Sequence, residues 1–322
     1  MKLQLIAPLL AAVCLAAPSV VRAQPPASPQ PQTAAAPDPA ADLIKQGQQQ
    51  LRDGQHEAAL KTFIAAAEKA PASAATRSTA NVQSGIVLDL LGRYGEARKR
   101  FAQAIDDAPS PTERGRAARA MAMSYAFERN CEGAARYEGP LYDRNLATGA
   151  FFDAGEVANE LARACLESGD IDQAATWYKR GYEAGLREED IKPERRDLWD
   201  FRWEHAQARM AARKGDAGEA RKHVEAAKAI LDKGTNPEQA PFLPYLVGYV
   251  AFYTGDMKAA IAEFEKGNQN DPFITCLLAQ AYDKQGDKAK ADELYRKVLT
   301  STAHGPTNAY ARPVAKQKLG MK

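Results

Sequence analysis

Cysteine is scarce in this chain of 322 residues: there are four, Cys14, Cys131, Cys165 and Cys276, and none forms a Cys-x-x-Cys pair. This excludes a disulfide-built scaffold, a zinc knuckle and a thioredoxin-like redox motif, so the core must come from apolar packing. Charge of one sign is missing too, with 43 Lys and Arg against 41 Asp and Glu. A balanced chain has no general field to attract polyanions, which argues against nucleic acid as its main partner. The chain also lacks a Gly-x-Ser-x-Gly elbow, a His-Glu-x-x-His pair, a phosphate-binding glycine loop with lysine and a dinucleotide fingerprint. Its four histidines, His56, His205, His223 and His304, show no metal-ligand spacing. No catalytic residue, cofactor or metal is called for, and a non-enzymatic role is expected.

The longest apolar run lies at the start. Met1 and Lys2 precede an apolar stretch from Leu3 to Val21, then Val-Arg-Ala before Gln24. The pattern is that of a cleavable secretory signal over residues 1–23, and Pro8 and Pro18 interrupt it as a retained membrane span. A lipid anchor at Cys14 is disfavoured by the bulky Val13 before it. Cleavage removes Lys2 and Arg22 but no acid, leaving 41 residues of each sign and no transmembrane span. The expected location is periplasmic or secreted. Residues 24–40 carry six prolines and little to bury, which predicts a disordered linker.

From Asp42 to about Thr300 no alternating β pattern appears, while Ala, Leu, Glu, Lys, Arg and Gln recur at helical spacing. The segment is also self-similar. GQHEAALKTFIAAAEKAP from Gly54 is echoed by GRYGEARKRFAQAIDDAP from Gly92 and GDMKAAIAEFEKGNQNDP from Gly255. Each has Gly, a small residue five later, Phe four after that, and a closing Pro. Weaker copies start at Gly169, Gly215 and Gly286, and a degenerate one lies around Asn130 and Ala135, making seven candidate units. The glycines suit a turn between paired helices, and Ala59, Ala97, Ala174, Ala220, Ala260 and Ala291 suit close helix approach. Phe63, Phe101, Tyr178, Phe264 and Tyr295 suit the space between units, and Pro71, Pro109 and Pro272 suit helix stops.

These residues resemble the tetratricopeptide repeat, a helix-turn-helix unit of about 34 residues. The resemblance implies an all-α, right-handed superhelical α-solenoid: repeats over 41–184, an insertion at 185–197, repeats over 198–300 and a C-terminal capping helix over 301–322. The insertion, GLREEDIKPERRD, predicts a division of the array into two stacks, and Pro313 is placed near the start of the tail helix. The implied role is a scaffold that binds a protein or peptide partner on the concave face, as relatives in bacterial envelopes do. Counting back from each small residue, the concave positions are Asn159 and Arg163 in the fourth unit and Arg202, His205, Arg209 and Arg213 in the fifth. In the sixth they are Phe242, Tyr245, Tyr249 and Tyr253. A cationic band beside an aromatic band suits acidic and apolar side chains. The helix PFLPYLVGYVAFY is apolar nearly all round, however, so its aromatics are equally readable as core.

Two alternatives accompany the scaffold. One is a glycan or small-ligand binding protein that uses the same tyrosines and arginines, and the other is an enzyme whose site is assembled from distant repeats. Cys131 and Cys165 fall at helix ends that stacked units bring to one side, so either a bridge or two isolated thiols fits there.

Overall fold

The computed structural model describes residues 39–69 and 72–321. Residues 38–322 pack as one unit. The signal at 1–23, nearly all of the linker and Pro71 lie outside the described residues. Helices come in seven consecutive pairs: α1 (Pro39–Arg52) with α2 (His56–Glu68), α3 (Ala74–Leu91) with α4 (Tyr94–Asp107), and α5 (Pro111–Phe127) with α6 (Cys131–Ala147). They continue as α7 (Phe151–Ser168) with α8 (Ile171–Gly185), α9 (Pro193–Arg213) with α10 (Ala217–Leu231), α11 (Phe242–Thr254) with α12 (Met257–Phe264), and α13 (Pro272–Gln285) with α14 (Lys288–Leu299). A last helix, α15 (Pro306–Lys318), follows. No strand occurs among the described residues, and no helix there is long and apolar enough to cross a membrane.

The turn chemistry explains where each second helix starts. The six repeat glycines all adopt positive φ, from 74° at Gly54 to 99° at Gly255, the left-handed conformation that costs other residues most. In four units an aspartate follows as N-cap, and its carboxylate accepts from the backbone N–H three residues on: Asp170 from Gln173, Asp216 from Glu219, Asp256 from Ala259 and Asp287 from Lys290. The third unit has no glycine there. Arg129 takes the left-handed position at φ 57° and Asn130 is the cap. This corrects the register: the small residue four after the cap is Ala134, fully buried, and not Ala135, which is half-buried.

Packing within each pair depends on size matching across the two helices. Phe63, Phe101 and Phe264 each face a glycine sixteen residues earlier, at Gly47, Gly85 and Gly248. A Cβ at those glycines would sit 2.5–2.7 Å from a ring carbon, closer than atoms can approach. Where the second-helix residue is smaller or differently shaped, the matching position is alanine: Ala162 under Tyr178, Ala208 under Val224, Ala279 under Tyr295, all with no exposed surface.

Several boundaries differ from the sequence reading. The linker ends sooner, because Pro39 and Ala40 already belong to α1, where a first-turn proline forfeits no helical hydrogen bond. Pro109 does follow the end of α4, but Pro272 opens α13. In the tail Pro306 opens α15 and Pro313 lies inside it. The insertion shrinks to the loop 186–192, and it does not split the array. Trp199 of α9 is wedged against Gly155 of α7 and Gly185 of α8, so α9 stacks directly on the preceding pair.

The tail helix does more than cap. α15 packs on α13 and α14 and also on α5 and α7, so it joins the last pair to the third and fourth pairs. Arg312, 6 % exposed, donates from Nε to the Leu90 carbonyl at 2.7 Å and from Nη1 to the Leu299 and Ser301 carbonyls at 2.9 and 3.1 Å. It therefore ties together the carbonyl ends of α3 and α14, where the helix dipoles favour a cation. Burial lowers its guanidinium to about 10, which leaves it charged at neutral pH. Nearby, His304 Nε2 lies 2.8 Å from the buried Asp89 carboxylate, Ser124 donates to the other Asp89 oxygen, and Lys316 donates to the Leu91 carbonyl.

Cys131 and Cys165 form a disulfide with Cα atoms 4.6 Å apart, linking α6 to α7 across the third and fourth pairs. Two measurements probe these ties. Arg312→Met keeps the apolar stem but strands three carbonyls, and should cost about 3 kcal/mol in urea unfolding; an unchanged midpoint would show that the tie contributes nothing. The bridge closes 34 residues, so Cys131→Ser with Cys165→Ser should lower stability by about 3 to 4 kcal/mol on chain-entropy grounds. Wild type in reductant should show the same loss.

Candidate functional site

α15 packs against α5 and α7, and beside it a cavity of about 340 Å³ opens among α7, α9 and α11. Pro306, leading into α15, forms part of its wall. Seven residues predicted for the concave face line it: Asn159, Arg163, Arg202, His205, Arg209, Phe242 and Tyr245. Phe242 stands at the rim and is 46 % exposed, while Tyr245 is buried in the floor. The remaining wall comes from Glu156, Glu160, Tyr178, Phe201 and Gln239.

The other three predicted residues do not reach the cavity. Tyr249 has no exposed surface, and its ring packs on Tyr253 with centroids 4.5 Å apart. Arg213 pairs with the buried Glu167 at 3.0 Å, and the Tyr249 hydroxyl donates to the same carboxylate at 3.4 Å. Tyr249, Tyr253 and Arg213 are thus core around Glu167. The reason is helical periodicity: α11 is apolar on every side, and only its first turn points past its neighbours.

The cavity wall is polarised. At its mouth Arg202 pairs with Glu156, and Glu160 pairs with Arg119 of α5. Deeper, Arg209 donates to the Tyr178 hydroxyl at 2.8 Å and lies 5.3 Å from that ring's centroid. Arg163 lies over the Phe273 ring at 4.7 Å. Burial, reinforced by the Arg209 and Arg163 cations, pushes His205 well below the usual histidine range, so the imidazole is neutral. Burial pushes the Tyr245 hydroxyl up, so it stays protonated.

One buried acid next to this wall escaped the repeat reading because of the register shift in the third unit. With Ala134 as the small residue, the position four later is Glu138, where other units place Phe63, Phe101, Tyr178, Phe264 or Tyr295. Glu138 has no exposed surface and lies beside the Glu160 carboxylate. Its carboxyl is pushed well above the usual range, first by burial and then by the Glu160 charge, with Arg119 opposing. A carboxyl with a raised folded value is most compatible with the fold below its unfolded pKa of about 4.3, and stability falls as the pH rises through the folded value. Glu138→Gln should therefore raise the melting temperature at about pH 8 and flatten the decline from about pH 5. Parallel melting curves for the two proteins across that range would refute the assignment.

Comparison with known proteins agrees with the helix pairs. Residues 156–180 and 275–303 each match a family model described as tetratricopeptide repeat. These segments take in the end of α7 with the start of α8, and most of α13 with α14. No curated protein matches the chain. Among solved structures, it is similar to a tetratricopeptide repeat protein from Parabacteroides merdae ATCC 43184, at 15% identity over 87% of this chain and 98% of that one, with a TM-score of 0.45. It is also similar to a putative kinesin light chain with nearly identical TPR-like repeats from Podospora anserina, at 17% identity over 62% and 99%, with a TM-score of 0.49.

Proposed function

We propose that this tetratricopeptide-repeat protein is a non-catalytic interaction scaffold of an exported compartment, the bacterial envelope, and that its partner engages the cavity among α7, α9 and α11. The repeats by themselves are those of a protein-interaction scaffold. The observation that carries the finer reading is the division of the concave face. α15 packs against α5 and α7, and the rim beside it carries an exposed Phe242 next to the Arg202–Glu156 pair, which suits an incoming apolar segment with polar flanks. The export reading is supported by the signal-like residues 1–23 and by the Cys131–Cys165 bridge, since such bridges persist in oxidising compartments.

A second reading, a glycan or small-ligand binding protein, is favoured by the wall that Pro306 adds and by a volume in the range of small-molecule sites. Both readings put the ligand in the same place. A photo-crosslinking residue at Gln239, used in envelope fractions, should capture a discrete protein, and capture should fail in an Arg202→Ala, Phe242→Ala variant with unchanged helical circular dichroism. Capture that survives in the variant, or occurs equally from a second-helix position such as Lys222, would overturn the cavity as the docking site.

A further inference from the structure

Beneath the cavity three guanidiniums surround one carboxylate, and only one of them is matched. Arg213 pairs with Glu167, while Arg163 and Arg209 act on that carboxylate from farther away. Neither Arg163 nor Arg209 has a carboxylate at ion-pairing distance among the described residues, so two positive charges stand without a counter-charge in largely buried surroundings. Such an arrangement is costly unless something else neutralises it. Four polar atoms at this spot have no hydrogen-bond partner: Arg163 Nε, Arg209 Nη1, the Tyr245 hydroxyl and His205 Nε2. All four residues line the cavity, and Arg209 and Tyr245 are only 5 % and 3 % exposed. The ring faces of Phe273 and Tyr178 soften the two arginine charges but offer no oxygen acceptors for these N–H groups.

We propose that the cavity floor is a site for a phosphate group, carried as a monoester on a small soluble molecule. This rests on the reading that the cavity receives a ligand. The charge count selects the group: a phosphate dianion neutralises Arg163 and Arg209 together, whereas a single carboxylate leaves one charge over. The donors match it as well: Arg163, Arg209 and Tyr245 line the cavity, and a rotation of these side chains brings their unpartnered N–H and O–H groups to its oxygens. Glu156 and Glu160 at the mouth do not repel it strongly, because Arg202 and Arg119 already pair with them. The cavity is larger than a phosphate needs. Phe201 and Phe242 give the remainder an apolar wall, and Asn159 and Gln239 offer amides, which suits a compact hydroxylated body such as a sugar.

Calorimetric titration of the full-length protein with inorganic phosphate, glucose 1-phosphate, acetate and phosphatidic acid vesicles tests the site. Phosphate should saturate with a Kd of about 1 mM or tighter, the ester should bind more tightly than phosphate, and acetate at least about tenfold more weakly. Tyr245→Phe should weaken the ester about tenfold while the urea midpoint stays or rises, because it removes a buried hydroxyl that has no partner in the free protein. Arg163→Gln should abolish binding. The proposal is overturned if phosphate and ester both fail to saturate, if acetate binds as tightly as phosphate, or if both variants bind like wild type. Binding to vesicles alone overturns the soluble ligand. Crosslinking at Gln239 separates the two readings: a partner captured with no phosphate binding sinks this site and leaves the docking surface standing. Phosphate binding with no captured protein does the reverse.

Discussion

The buried guanidinium of Arg312 holds together parts of the chain more than two hundred residues apart. Its donors are shared between the carbonyl ends of α3 and α14, so an α-solenoid that would otherwise end at its seventh pair is closed across its concave side. The interaction is local in its chemistry, a cation against two negative helix ends, but global in its consequence. Once α15 is seated by Arg312, Lys316 and the contact between His304 and Asp89, it lies against α5 and α7. The stretch facing α7, α9 and α11 stays open beside it, and the cavity lies there.

A repeat array places equivalent residues at equivalent points, so departures from the repeat mark where this chain does something of its own. Two departures lie next to each other in space. Glu138 stands where the other units pack an aromatic, and Arg209 and Arg163 are largely buried with no carboxylate paired to either. Arg119 and Glu160 connect these two features through their ion pair. Both are unfavourable for folding alone, and a fold tolerates such costs where a function requires them.

Much of the organisation is legible in the residues. Gly54, Gly92, Gly169, Gly215, Gly255 and Gly286 mark the turns because only a residue without Cβ adopts their left-handed backbone at little cost. The matching of Gly47, Gly85 and Gly248 with Phe63, Phe101 and Phe264 is a further signal at constant spacing, visible without coordinates. The third unit misled by one residue because Arg129 fills the glycine position, and that slip hid Glu138. Of the residues counted to the concave face, Arg202, His205, Arg209 and Arg163 line the cavity, since helical periodicity fixes which side each occupies. Counting could not separate Tyr245 from Tyr249 and Tyr253, because α11 is apolar around its whole circumference.

The division of labour between sequence and tertiary structure has a physical basis. The sequence alone determined the helices, their pairing, the turns and the small-against-large contacts inside each pair, because these are set by neighbours within about forty residues and by the conformational limits of single residue types. Only the tertiary structure decided that α15 returns to the concave side, that Cys131 meets Cys165, and that two arginines converge unpaired on one cavity. Those outcomes depend on the small rotation between successive pairs, accumulated over seven of them, and no local pattern encodes that sum.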